Sequence, residues 1–132
     1  MNSDTTSTTR VVLVAGGTGG LGRAVSQAFL ADNFRVVATY RKQKDFDTLK
    51  ALSAGNGSRL EGHTVDVTDE AEVSKFIDGI VARHGRLDAM VNTIGGYIGG
   101  VKLWELDTKA FDQMLALNLR SGYALARAAV RV

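Results

Sequence analysis

Residues 11–31 read VVLVAGGTGGLGRAVSQAFLA, and the fold follows from them. The apolar run Val11–Val14 leads straight into a loop carrying Gly16, Gly17, Gly19, Gly20 and Gly22. Directly behind it, Leu21, Ala24, Val25, Ala28 and Phe29 recur at helical spacing. Strand, glycine loop and helix in this order bring the unpaired N–H groups of a helix N-terminus against a pyrophosphate. Glycine is needed there because the backbone turns sharply and approaches the phosphates, and because a Cβ would hold helix and strand apart. A tight turn without a ligand is the alternative. The strand-to-helix context favours a nucleotide site over Gly16, Thr18, Gly19, Gly20, Leu21 and Gly22.

Working outward, strands and helices alternate. Arg35–Tyr40 reads as a second strand and Lys44–Ala54 as a modest helix, with a loop over Gly55–Ser58. Leu60–Val65 is a weaker third strand. Asp69–His84 is a helix with Val73, Phe76, Ile77, Ile80 and Val81 on one face, ended by Gly85. Leu87–Asn92 is a fourth strand, followed by the loop Gly95–Gly100. Asp107 caps a long helix reaching about Arg131, with Phe111, Met114, Leu115, Leu125, Ala126 and Ala129 on its apolar side. This alternation predicts an α/β fold, a Rossmann-like doubly wound parallel sheet. Four strands make little more than one mononucleotide-binding half, so the sheet is expected to be truncated after the fourth strand and the long helix. The polar stretch Met1–Thr9 is expected to be a disordered tail, leaving a single domain over 10–132.

Composition narrows the function. Sixteen Lys and Arg against 14 Asp and Glu give a formal charge of +2. The short basic run Arg41, Lys42, Lys44 is too small to mark a nucleic-acid surface. No cysteine is present, which removes disulfides and thiolate metal sites, and His63 and His84 are isolated along the chain. Without a membrane-length apolar run or a signal-peptide core, a cytoplasmic protein with neither membrane nor nucleic-acid partner is expected.

Together these features resemble the short-chain dehydrogenase/reductase family, from about Val11 to Val132. The loop fits the TGxxxGxG pattern of the classical branch through Gly16, Gly20 and Gly22, with Ala15 in place of threonine. It also fits the extended-branch TGxxGxxG through Gly16, Gly19 and Gly22. The segment GRLDAMVNTIGG (85–96) selects the classical branch, since it is similar to GxLDxLVNNAG through Asn92 and Gly95, with Thr93 and Ile94 replacing Asn-Ala. An ordinary buried strand ending in a turn is the alternative. On the residues alone, Asp66 is either a nucleotide ligand or a capping carboxylate ahead of the next helix. The resemblance implies that Asp66 and the Val67 backbone hold the adenine ring.

After the second strand, sites for NAD place a carboxylate about 20 residues beyond the glycines. Here the chain reads Tyr40-Arg41-Lys42, with no acid, and Arg41 offers a guanidinium to a 2′-phosphate. NADP is therefore favoured over NAD, against the alternative of a solvated basic turn. Asn118 falls on the apolar stripe of the long helix, where a polar group needs a partner or a purpose. The stretch NLRSGYALARAAV resembles the family helix whose asparagine belongs to the catalytic tetrad and supports a proton relay. A satisfied core asparagine is the alternative.

The resemblance also calls for a serine and a Tyr-x-x-x-Lys pair near the nicotinamide. The literal match, Tyr40–Lys44, lies on the adenosine side and cannot serve. The reading is therefore an NADP(H)-binding oxidoreductase, moving hydride between cofactor and a small carbonyl or alcohol, and inactive as these 132 residues alone. A non-catalytic cofactor-binding or interaction module is the second reading, and an FAD-binding half-domain the third. Self-association through the C-terminal helix, where Gly122, Ala126 and Ala129 allow close contact, is expected.

Overall fold

The computed structural model describes residues 9–132. All of the expected tail except Thr9 lies outside the described residues. Four parallel strands form one sheet in the order β3-β2-β1-β4: β1 Val11–Ala15, β2 Arg35–Thr39, β3 Leu60–His63 and β4 Ala89–Asn92. β1 lies between β2 and β4, is covered on both faces, and is buried at all five residues, which explains its unbroken apolar sequence.

Strand parity divides the core in two. Val11, Leu13 and Ala15 join Val37 against Val73, Ile77 and Ile80 of α3 (Glu70–His84) and Leu125 of α5 (Ser121–Ala129). Val12 and Val14 point the other way, joining Val36 and Ala38 against Leu30 of α1 (Gly20–Ala31), Phe34, and Leu49 of α2 (Gln43–Leu52). The result is three layers. The chain moves outward from β1 through β2 to β3, then crosses to β4 on the other side of β1. That reversal leaves a crevice at the carboxyl ends of β1 and β4.

Most element ends follow their caps. Asp69 accepts from the N–H groups of Ala71 and Glu72 to start α3, and Gly85 closes it at φ 75°. Two expectations change. β3 stops at His63 rather than Val65. The expected single long helix is α4 (Thr108–Leu115), a π-helical segment Ala116–Arg120, and α5. A π segment spends more residues per turn, so the apolar stripe rotates as it passes through. Phe111, Leu115 and Ala126 are consequently exposed, and the buried face of α5 is Ser121, Ala124, Leu125 and Ala128.

The histidines are not isolated in space. His63 Nε2 lies 2.5 Å from Glu61 Oε1, Arg83 Nη2 donates to the same oxygen at 2.7 Å, and His84 Nε2 lies 2.8 Å from Oε2. This cluster ties edge strand β3 to the end of α3. Burial alone would raise the Glu61 carboxyl, but bonds from His63 and His84 and the Arg83 charge outweigh it and hold it at about 2. A folded-state pKa lowered from 4.5 contributes stability above pH 4.5 that is lost as pH falls toward 2. Glu61→Gln is expected to cost about 1–3 kcal/mol at neutral pH and to flatten the acid limb over that window. Urea unfolding at a series of pH values measures both.

Candidate nucleotide site

The loop after β1 is held from both neighbouring strands. Thr39, at the end of β2, takes the Gly16 N–H on its Oγ1 at 2.9 Å and the Gly17 N–H on its carbonyl at 3.0 Å. Thr93, just past β4, donates its hydroxyl to the carbonyls of Ala15 and Gly16 at 2.8 and 3.1 Å. Ser26, buried in α1, donates to the Gly17 carbonyl at 3.1 Å. Gly16 takes φ 76°, which a side chain would strain.

Gly22 is the tightest point. A Cβ there would lie 1.9 Å from the Gly16 carbonyl oxygen and 2.7 Å from Thr93 Oγ1. Gly20 faces open space. Gly19 caps α1 without a side chain, and its own N–H bonds the Gly16 carbonyl at 3.1 Å. Among the described residues, the N–H groups of Thr18, Gly20, Leu21 and Gly22 have no acceptor, so a row of backbone donors is left at the helix start.

A cleft of about 830 Å³ opens beside this row. Of the sequence-predicted residues, Gly16, Thr18, Gly19, Arg41, Asp66, Val67 and Gly95 line it. Gly20, Leu21 and Gly22 are not part of that lining, and Leu21 is exposed. Asp66 Oδ1 accepts from Thr68 N–H at 3.0 Å and Thr68 Oγ1 at 2.6 Å, which holds its carboxyl below the usual range. Asp66 is therefore a local turn-former and a cleft-lining carboxylate at once, while Asp69 does the helix capping.

The two asparagines shape the strap after β4 rather than the cleft surface. Asn92 Oδ1 accepts from Ile94 N–H at 3.0 Å, and its Nδ2 sits against Gly122. Asn118 is exposed, not buried on a stripe, and lies in the π segment. Its Oδ1 accepts from Gly96 N–H at 3.0 Å, and its Nδ2 donates to the carbonyls of Gly96 at 3.1 Å and Met114 at 2.9 Å. Gln113, Met114, Ala116 and Leu117 then form the far wall.

Several lining residues escape a reading of the sequence. Thr39 and Thr93 carry a usable signal, being threonines at the carboxyl ends of the two strands flanking β1. Asp45 carries another. It lies in the first turn of α2, beyond Tyr40-Arg41-Lys42, yet it lines the same cleft as Arg41. No cluster of His, Asp and Glu suited to a metal exists among the described residues, and no helix there is long and apolar enough to cross a membrane.

Comparison with known proteins places this geometry. The family model described as short chain dehydrogenase matches residues 10–132. A Streptomyces virginiae protein, provisionally named as a monensin polyketide synthase ketoacyl reductase, is 38% identical over 125 residues, covering 94% of this chain and 47% of its own. The structure of ElxO with NADP bound superposes with a TM-score of 0.86 at 30% identity, covering 93% of this chain and 50% of that one. A metagenomic short-chain oxidoreductase in complex with NADP gives 0.85 at 29% identity, covering 92% and 55%. The chain spans about half the length of the curated relatives it matches.

Gly22→Ala is expected to lose roughly 3 kcal/mol or more, because helix and loop backbone must separate. Gly20→Ala is expected to stay within about 1 kcal/mol of the parent. Thermal unfolding of the pair tests whether the close approach is as stated.

Proposed function

The chain belongs to the short chain dehydrogenase family, and from that premise we propose that residues 10–132 form the cofactor-binding part of an NADP(H)-dependent oxidoreductase. The observation that carries the reading is the row of unpaired N–H groups that begins at Thr18 and runs into α1, beside a cleft that Thr18 lines together with Arg41. Thr18, Gly20, Leu21 and Gly22 would donate to the pyrophosphate, and Arg41 would pair with a 2′-phosphate. Asp66 and the Val67 backbone would face the adenine, with Gly95 and the Asn92 turn bounding the far side. The NADP named for two similar solved structures supports the choice of cofactor.

The bound cofactor supplies hydride to a carbonyl, or accepts it from an alcohol. Reduction leaves an alkoxide that needs a proton donor. Within these residues no serine and Tyr-x-x-x-Lys set stands at the nicotinamide side. Tyr40 donates to Gln43 Oε1 at 2.7 Å and stacks on Phe46. Tyr123 is exposed on α5, near the Arg127 guanidinium. Asn118 acts here as a positioning residue, since its side chain is committed to Gly96 and Met114. Binding without turnover, the module reading, is thus the behaviour we assign to this chain by itself, in a cytoplasmic setting.

Self-association fits a different surface from the small residues named in the sequence. Gly122 faces Asn92, and Ala129 packs partly on the core. Leu115, Leu119 and Tyr123, four residues apart and exposed, form the outward apolar stripe instead.

Titration of the chain with both cofactors is expected to show tighter binding of NADPH than of NADH. Arg41→Ala should weaken NADPH by about 1.5–3 kcal/mol and leave NADH nearly unchanged. Equal affinities in the parent chain, with no change in the variant, would refute the NADP(H) reading. NADPH absorbance followed with simple aldehydes and ketones is expected to stay at background. Sustained oxidation by pure protein would mean that another residue supplies the proton.

A further inference from the structure

The wall that carries Arg41 also carries a carboxylate. Asp45 sits in the first turn of α2, half-buried, lining the same cleft. No hydrogen bond or ion pair engages its side chain among the described residues, and none engages Arg41. The charged groups lining the cleft are Arg41, Asp45 and Asp66, and Asp66 is turned onto Thr68.

The turn that carries Asp45 is also held in place. The Tyr40 ring stacks on Phe46 with centroids 4.9 Å apart and planes 12° from parallel. Tyr40 Oη donates to Gln43 Oε1, and Gln43 Nε2 donates to Asp47 at 2.9 Å. Phe46 lies so close over Gly62 of β3 that a Cβ there would meet its ring at 2.4 Å. The first turn of α2 is therefore clamped to the end of β2 and to β3. The turn that carries Asp45 cannot leave the end of β2 without breaking that stack.

Resting on the NADP(H) reading above, we propose that Asp45 is a specificity-determining residue that limits the preference for a phosphorylated ribose. Arg41 attracts the 2′-phosphate, and the Asp45 charge lining the same cleft repels it. A 2′-hydroxyl has no charge to repel and keeps its affinity. The chain is thereby set to discriminate less strongly than Arg41 alone would make it.

The test is titration of the full chain with NADPH and NADH, in the parent, Asp45→Asn, Asp45→Glu and Arg41→Ala. Asp45→Asn is expected to tighten NADPH about three- to tenfold and to leave NADH within about twofold, with the gain shrinking as salt is raised. Asp45→Glu keeps the charge and should keep the parent ratio. An unchanged ratio in Asp45→Asn, a gain that salt does not diminish, or Asp45→Glu behaving like Asp45→Asn overturns the inference. Parallel weakening of both cofactors in Asp45→Asn also overturns it, since the residue would then only support α2. If Arg41→Ala loses NADPH while Asp45→Asn leaves the ratio alone, only the role of Asp45 falls. If the parent binds both cofactors alike and Arg41→Ala changes neither, the NADP(H) reading falls and this inference with it.

Discussion

The first turn of α1 rests on the carbonyl of Gly16, and everything at the cleft depends on that approach. The space for a Cβ at Gly22 is already occupied by the Gly16 carbonyl. With glycine there, α1 starts directly against the end of β1, and its first N–H groups stand without backbone partners beside the crevice. A larger residue would push the helix outward and take those donors with it. The contact is locked by two hydroxyl-bearing side chains from opposite sides: Thr39 of β2 takes N–H groups of the loop, and Thr93 past β4 gives its proton to loop carbonyls. Each backbone group satisfied this way is one fewer orphan in a buried turn, and the N–H groups left over are those of Thr18 and the first turn of α1.

This arrangement needs the sheet to be parallel and β1 to be its switch point. Because β1 pairs with both β2 and β4, the threonines that end those two strands arrive on either side of the same loop. The parity of β1 sends Val12 and Val14 to one helical layer and Leu13 and Ala15 to the other, so both layers press on the strand that carries the loop. Local loop geometry and global packing therefore support one another, which is how a sequence specifies a single fold.

The parts readable from sequence are those written in short-range patterns: the glycine loop, the parallel alternation, the caps at Asp69 and Asp107, and Arg41 after β2. What escaped reading depends on residues brought together across the fold. His63 and His84 look solitary along the chain, yet both converge on Glu61. The π segment is invisible to a search for helical periodicity, because Phe111 and Leu115 fit the 3.6-residue pattern locally and only the inserted turn shows that they do not share a face with Leu125. The residues just after β2 hold no carboxylate, whereas Asp45, in the first turn of α2, lines the same cleft as Arg41.

The π segment also changes what Asn118 can do. Its side chain both accepts from and donates to the Gly96 peptide, so it grips the strap after β4 at two points, and the bond to the Met114 carbonyl fixes the grip to the helix. The grip joins the strap that carries Gly95 to the helix that carries Met114 and Leu117, and all three residues line the cleft. The threonine pair and Asn118 thus hold two different borders of the cleft: Thr39 and Thr93 fix the loop after β1, and Asn118 fixes the strap after β4 to the helix behind it.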